Sequence, residues 1–171
     1  MKKLIPFLLA ICLFLTLVGC TGNGETPTNI PEPEIAQNTV KPYLDIIGYS
    51  RDGLIAKLQE KGMDAQTAQV TVDAAGLDFN QQALRRAKSN LQTIAYSAKG
   101  LEEKLQAEKF SPQQAQYGVE HCGADWNQQA LRKAKMYLSL TNFPAENLQS
   151  QLLFDGFTQE QAAYGAANAK K

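Results

Sequence analysis

The stretch D-F-N-Q-Q-A-L-R-R-A-K at residues 78–88 returns as D-W-N-Q-Q-A-L-R-K-A-K at residues 125–135, 47 positions further along a chain of 171. A catalytic constellation needs spelling only once, whereas a packing unit stacked on copies of itself is spelled in every copy. Repetition at a period of tens of residues marks arrays of helical units. The register continues outside the phrase without gaps, because Tyr49-Ser50, Tyr96-Ser97 and Phe143-Pro144 open equivalent segments. Lys41-Pro42-Tyr43-Leu44 likewise matches Lys135-Met136-Tyr137-Leu138. The pattern predicts a shortened first repeat unit over 41–77, a second at 78–124 and a third at 125–171.

Each unit carries three helix signatures. The phrase helix opens on Asp78 or Asp125 as N-cap, with Gln81 or Gln128 at N3 in the manner of a capping box. Phe79, Ala83, Leu84, Ala87 and Leu91 fall on one helical stripe, as do Trp126, Ala130, Leu131, Ala134 and Leu138. The second helix is capped by Ser50 or Ser97, with Tyr49 or Tyr96 placed to staple onto Leu54 or Leu101; the third copy keeps Phe143 and Leu148 but has Pro144 at the cap. Gly62 and Gly156 stop this helix, with Lys109 as the exception. The third helix starts at Asp64, Ser111 or Thr158 and presents small residues. Two short helices joined by a three-residue turn read as a helix-turn-helix.

The fold class expected is therefore all-α: tandem three-helix repeats of 47 residues, stacked to share a core. The residues expected to form that core are Phe79, Leu84, Trp126, Leu131, Leu54, Leu101 and Leu148. Identity between copies marks packing and capping positions, and it marks no catalytic site.

The amino-terminal segment differs in kind. Lys2 and Lys3 precede an apolar run from Leu4 to Val18 and then Gly19-Cys20, which is the layout of a signal peptide over 1–19. The run is shorter than the roughly 20 residues a membrane-crossing helix needs. Leu17-Val18-Gly19-Cys20 resembles the lipobox of bacterial lipoproteins, in which the cysteine receives a diacyl group on sulfur and becomes the first mature residue. Acylation of Cys20 implies a palmitate-type anchor on the extracytoplasmic face of the cell membrane. Residues 20–40, rich in Pro and Gly, read as a flexible linker. With Cys12 in the leader and Cys20 acylated, only Cys122 remains, so no intrachain disulfide is available. Cys122 stands where Ala75 and Ala169 stand in the other units, which argues for a small buried residue.

Catalytic chemistry has little to work with. His121 is the lone histidine, with no nucleophile, second histidine or cysteine at ligand spacing. No catalytic, cofactor or metal residues are assigned, and no small-molecule substrate is implied. Nucleic acid is a poor fit as well, because 17 Lys and Arg balance 17 Asp and Glu, and Arg85-Arg86-Lys88 and Arg132-Lys133-Lys135 are the basic clusters. Their expected role is to complement helix dipoles on a solvated face.

The order aromatic-Ser-x-x-Gly-Leu at 96–101, Gly-Phe-Thr-x-x-Gln-Ala-x-Tyr at 156–164 and Asp-Trp-Asn-x-x-Ala-Leu-x-x-Ala-x-x-Tyr-Leu at 125–138 resembles the Ltp-type host cell surface-exposed lipoproteins. Met63, Val70 and Phe79 in the first copy depart from that pattern. The resemblance implies superinfection exclusion: a prophage-encoded surface lipoprotein that blocks DNA entry of an incoming phage by binding its tail tape measure protein. The alternative is an envelope-associated structural or adhesion lipoprotein that binds a wall component or host protein. Exposed positions that vary between units, such as Ile55, Glu102 and Gln149, are the candidate contacts.

Overall fold

The computed structural model describes residues 30–140 and 143–169; all regular elements among them are helical. The expected signal peptide at 1–19 and the acylated Cys20 lie outside the described residues. The helices fall into three sets of three. Unit one has α1 (Pro33–Leu44), α2 (Arg51–Glu60) and α3 (Ala65–Ala74); unit two has α4 (Phe79–Thr93), α5 (Ala98–Ala107) and α6 (Pro112–His121). Unit three has α7 (Trp126–Ser139), α8 (Leu148–Phe154), entered through a 3-10 turn at Ala145–Asn147, and α9 (Gln159–Ala169).

Helix α1 corrects two expectations. The linker read over 20–40 gives way to helix at Pro33, and the first unit is not shortened at 41. Ala36, Val40 and Leu44 sit one period before Ala83, Ala87 and Leu91, and all six are buried. The phrase helix is thus present three times. Pro33 opens it where no intrahelical donor is needed.

Side-chain caps fix the helix starts. Ser50 Oγ accepts from Gly53 N at 3.1 Å and Ser97 Oγ from Gly100 N at 2.9 Å. Ser111 with Gln114 and Thr158 with Gln161 make full capping boxes. At Asp78 and Asp125 the cap forms but the reciprocal glutamine bond does not. Gln81 Nε2 donates instead to the Tyr117 hydroxyl at 2.9 Å, and Gln128 Nε2 to that of Tyr164 at 3.0 Å. This pins each phrase helix to the third helix of its own unit. In unit three Pro144 offers no side-chain acceptor, and the entry tightens into the 3-10 turn.

The core also differs from the expected arrangement. Each unit encloses its own apolar cluster, and the principal helix packings lie within units. Leu54, Leu101 and Leu148 are fully buried, as are Ala83, Ala87, Ala130 and Ala134. Phe79, Leu84, Trp126 and Leu131 are half-buried. The reason is close helix approach: a Cβ on Gly118 would stand 2.9 Å from the Ala83 carbonyl oxygen, and one on Gly165 would stand 2.8 Å from the Ala130 backbone. At that separation only alanine fits the contact line, and the leucines are displaced to its flank. Phe79 packs on the cluster of unit one and Trp126 on that of unit two, so the aromatics that open α4 and α7 reach back to the preceding unit.

Candidate binding grooves between the repeat units

Consecutive units are joined by two polar contacts, each made twice. The Ser50 hydroxyl, which already caps α2, donates to the Glu108 carbonyl at 2.7 Å; Ser97 does the same to Asp155 at 2.6 Å. Both acceptors terminate the second helix of the next unit, where carbonyls lack an intrahelical partner. Arg85 Nη1 donates to the Leu44 carbonyl at 3.1 Å, and Arg132 Nη1 to the Leu91 carbonyl at 2.8 Å. These arginines complement a helix dipole, but the helix belongs to the preceding unit.

A groove opens at each joint, and the two grooves are built from equivalent residues. One, of about 320 Å³, is lined by Tyr96, Ser97, Gly100, Lys133, Asp155 and Phe157, among others. The other, of about 230 Å³, is lined by Tyr49, Ser50, Gly53, Arg86, Glu108 and Phe110 at the same positions one period earlier. Duplication of the joint therefore duplicates the concavity.

The charged groups at the groove floors are satisfied internally. Glu108 accepts from Arg86 Nε at 2.8 Å and Asn90 Nδ2 at 3.2 Å, with Lys104 Nζ at 3.0 Å. Burial pushes the Glu108 carboxyl upward, but donation from Arg86, Lys104 and Asn90 outweighs it and holds the group below the usual carboxylate range. In the other groove the Tyr137 hydroxyl donates to Asp155 at 2.7 Å, with Lys133 Nζ 3.8 Å away. Burial first, and then that hydrogen bond, push the Tyr137 phenol up to about 12. Such floors position side chains rigidly, and they supply no poised base or nucleophile. Among the described residues no three His, Cys, Asp or Glu side chains gather at a spacing that could hold a metal ion. No described helix is long and apolar enough to cross a membrane.

The grooves differ at their rims. Phe154, 87% exposed, overhangs the larger groove where Ala107 lines the smaller; Glu103 replaces Ala56 and Gly156 replaces Lys109. An aromatic so exposed is the exception among large apolar side chains. The sequence carried the signal, since Phe154 breaks the repeat pattern, but the position is silent until the joint is seen. Of the contacts expected from the sequence, Ile55 packs against the first cluster, Glu102 accepts from Gln106, and Gln149 is half-buried; none of the three lines these grooves. Cys122 is buried and unpaired, its Sγ 3.2 Å from the Val119 carbonyl. His121 stacks on Tyr117 at 4.0 Å, with Nδ1 2.9 Å from the Tyr117 carbonyl.

A family described as host cell surface-exposed lipoprotein matches the chain at residues 78–122 and 125–168. No curated protein matches it. Among solved structures, the chain is similar to Ltp, a superinfection exclusion protein from the Streptococcus thermophilus temperate phage TP-J34. The two are 36% identical with a TM-score of 0.51, over 54% of this chain and 96% of that one.

Proposed function

This chain belongs to the host cell surface-exposed lipoprotein family, and from that premise we propose that it acts at the cell surface in phage superinfection exclusion. Its part in that process is to bind, with the tail tape measure protein of the incoming phage as partner and acylated Cys20 as membrane anchor. The observation that carries the reading is the paired inter-unit groove. Two equivalent concavities one repeat apart suit an elongated protein partner, which two joined contacts hold more tightly than one. Phe154 at the rim of the larger groove is the proposed anchor residue, since aromatic side chains, Phe included, are enriched at protein interfaces. The units of the array, the first complete from Pro33, form the rigid scaffold for these contacts.

Expression of the chain in a phage-sensitive host tests the reading. Adsorption should stay normal while phage DNA entry falls, and Cys20→Ala should restore entry by releasing the chain from the surface. Unchanged plaque counts across a broad phage panel would refute it.

A further inference from the structure

Most of the repeated phrase is accounted for by contacts. Asp78 and Asp125 cap, Gln81 and Gln128 bind tyrosines, Arg85 and Arg132 hold the preceding unit, and Arg86 and Lys133 face the groove carboxylates. Lys88 and Lys135 are not accounted for in this way. Both side chains are exposed and make no ion pair or hydrogen bond among the described residues, and the same holds for the Lys41 side chain at the equivalent position of α1. Neither packing nor capping requires a lysine three times at this phase.

The charge distribution sets these lysines in context. Helices α4 and α7 carry Arg85, Arg86, Lys88, Arg132, Lys133 and Lys135 and no carboxylate, while the remaining described residues carry 16 acidic side chains against seven basic ones. Six of the 13 basic side chains among the described residues thus sit on two helices that carry no carboxylate. Along a phrase helix Lys88 lies two residues, roughly 200°, past the groove-facing Arg86, so the lysine row points away from the grooves. Ile46, 81% exposed, lies in a shallow depression beside Arg85 and Lys88; Leu140, its counterpart in unit three, is 53% exposed. Asp45 and Asp125 are the carboxylates in the depressions next to Lys88, and Asp125 is engaged as an N-cap.

We propose that this edge, with Lys41, Lys88 and Lys135 in front and Ile46 and Leu140 flanking them, rests on anionic lipid headgroups of the membrane that holds the chain. The choice of lipid over another polyanion rests on the anchor at Cys20. Twelve residues separate Cys20 from Pro33, and a tether of twelve residues reaches about 20 Å at random-coil dimensions. The lysine row, which starts on the helix the tether enters, is thereby held at high effective concentration over the headgroups. Lying on this edge turns the grooves outward, toward an arriving partner.

The test uses the lipidated chain on vesicles, with an environment-sensitive dye at Gln92→Cys, one turn from Lys88, in a Cys122→Ala background. A second version carries the dye at Ser150→Cys on α8. On phosphatidylglycerol vesicles at low salt the Gln92 dye should report lipid contact and the Ser150 dye should not. Contact should vanish in 0.5 M salt and on phosphatidylcholine. Lys41→Gln, Lys88→Gln and Lys135→Gln together should weaken it about fivefold per lysine, on the order of 10²-fold in all, with helix content unchanged. A Gln92 dye that reads water on both lipids overturns the proposal, and so does displacement by soluble polyphosphate without any lipid contact. Retention on both lipids with a Gln92 dye that reads water on phosphatidylglycerol as well leaves the anchor standing and removes the lysine contact. Retention on phosphatidylglycerol alone does the reverse.

Discussion

The Ser97 hydroxyl accepts from Gly100 N in its own helix at 2.9 Å while donating to the Asp155 carbonyl of the next unit at 2.6 Å. One buried side chain thus starts a helix and joins two units, and Ser50 repeats the arrangement with Gly53 and Glu108. Removing the hydroxyl leaves an amide and a carbonyl without their partner. Ser97→Ala should cost about 1–3 kcal/mol of unfolding free energy in urea titrations. Ser150→Ala, on an exposed site of α8, should be neutral within about 0.5 kcal/mol.

Helices α7 and α9 meet closely at Gly165, where an added Cβ meets the Ala130 backbone at 2.8 Å. Backbone cannot swing aside, so Gly165→Ala should spread α7 from α9 and destabilise by about 1–3 kcal/mol. Lys109 presents the opposite case. Its φ of 68° is the left-handed conformation that Gly62 and Gly156 adopt at the same turn. Lys109→Gly should therefore raise stability by about 0.5–1 kcal/mol, read as a higher urea midpoint at unchanged slope.

The Glu108 carboxyl titrates below its unfolded value, so its contribution is complete above about pH 4.3 and is lost as pH falls through the lower folded value. Glu108→Gln should flatten the acid limb of the stability curve. Tyr137 works in the other direction. Raised to about 12 from 10, its phenol contributes fully below pH 10 and loses that contribution between pH 10 and 12. Tyr137→Phe should remove this alkaline loss, measured by chemical denaturation across the range.

Phe154 contributes little to the fold, being 87% exposed. Phe154→Ala should leave the unfolding midpoint within about 0.5 kcal/mol of the parent. If it anchors the partner, phage exclusion should fall at least tenfold in efficiency-of-plating assays while surface display is unchanged.

The period, the serine caps and the small buried Cys122 were legible in the sequence because each depends on local rules or on comparison of one copy with the next. Helix α1 was not, because Pro31, Glu32 and Glu34 overwrite the phrase and leave only Ala36, Val40 and Leu44 of its buried stripe. Hydrophobic periodicity assigned Leu84 and Leu131 to the interior, yet a helix approached by Gly118 and Gly165 selects the smallest residues on that face, and alanines took the place. Gln81 and Gln128 read as capping-box partners because sequence spacing cannot display a tyrosine hydroxyl 36 residues away. The grooves were invisible for the same reason, since they exist only where one unit meets the next.

Because each unit encloses a separate interior and meets its neighbour through a serine, an arginine and an aromatic, the chain is a cassette design. Duplicating or deleting a 47-residue segment at this joint would change only the aromatic that covers the preceding interior, Phe79 or Trp126, and each added cassette would bring another groove. Reach and valency in such a protein are thus set by gene length rather than by redesign of its parts.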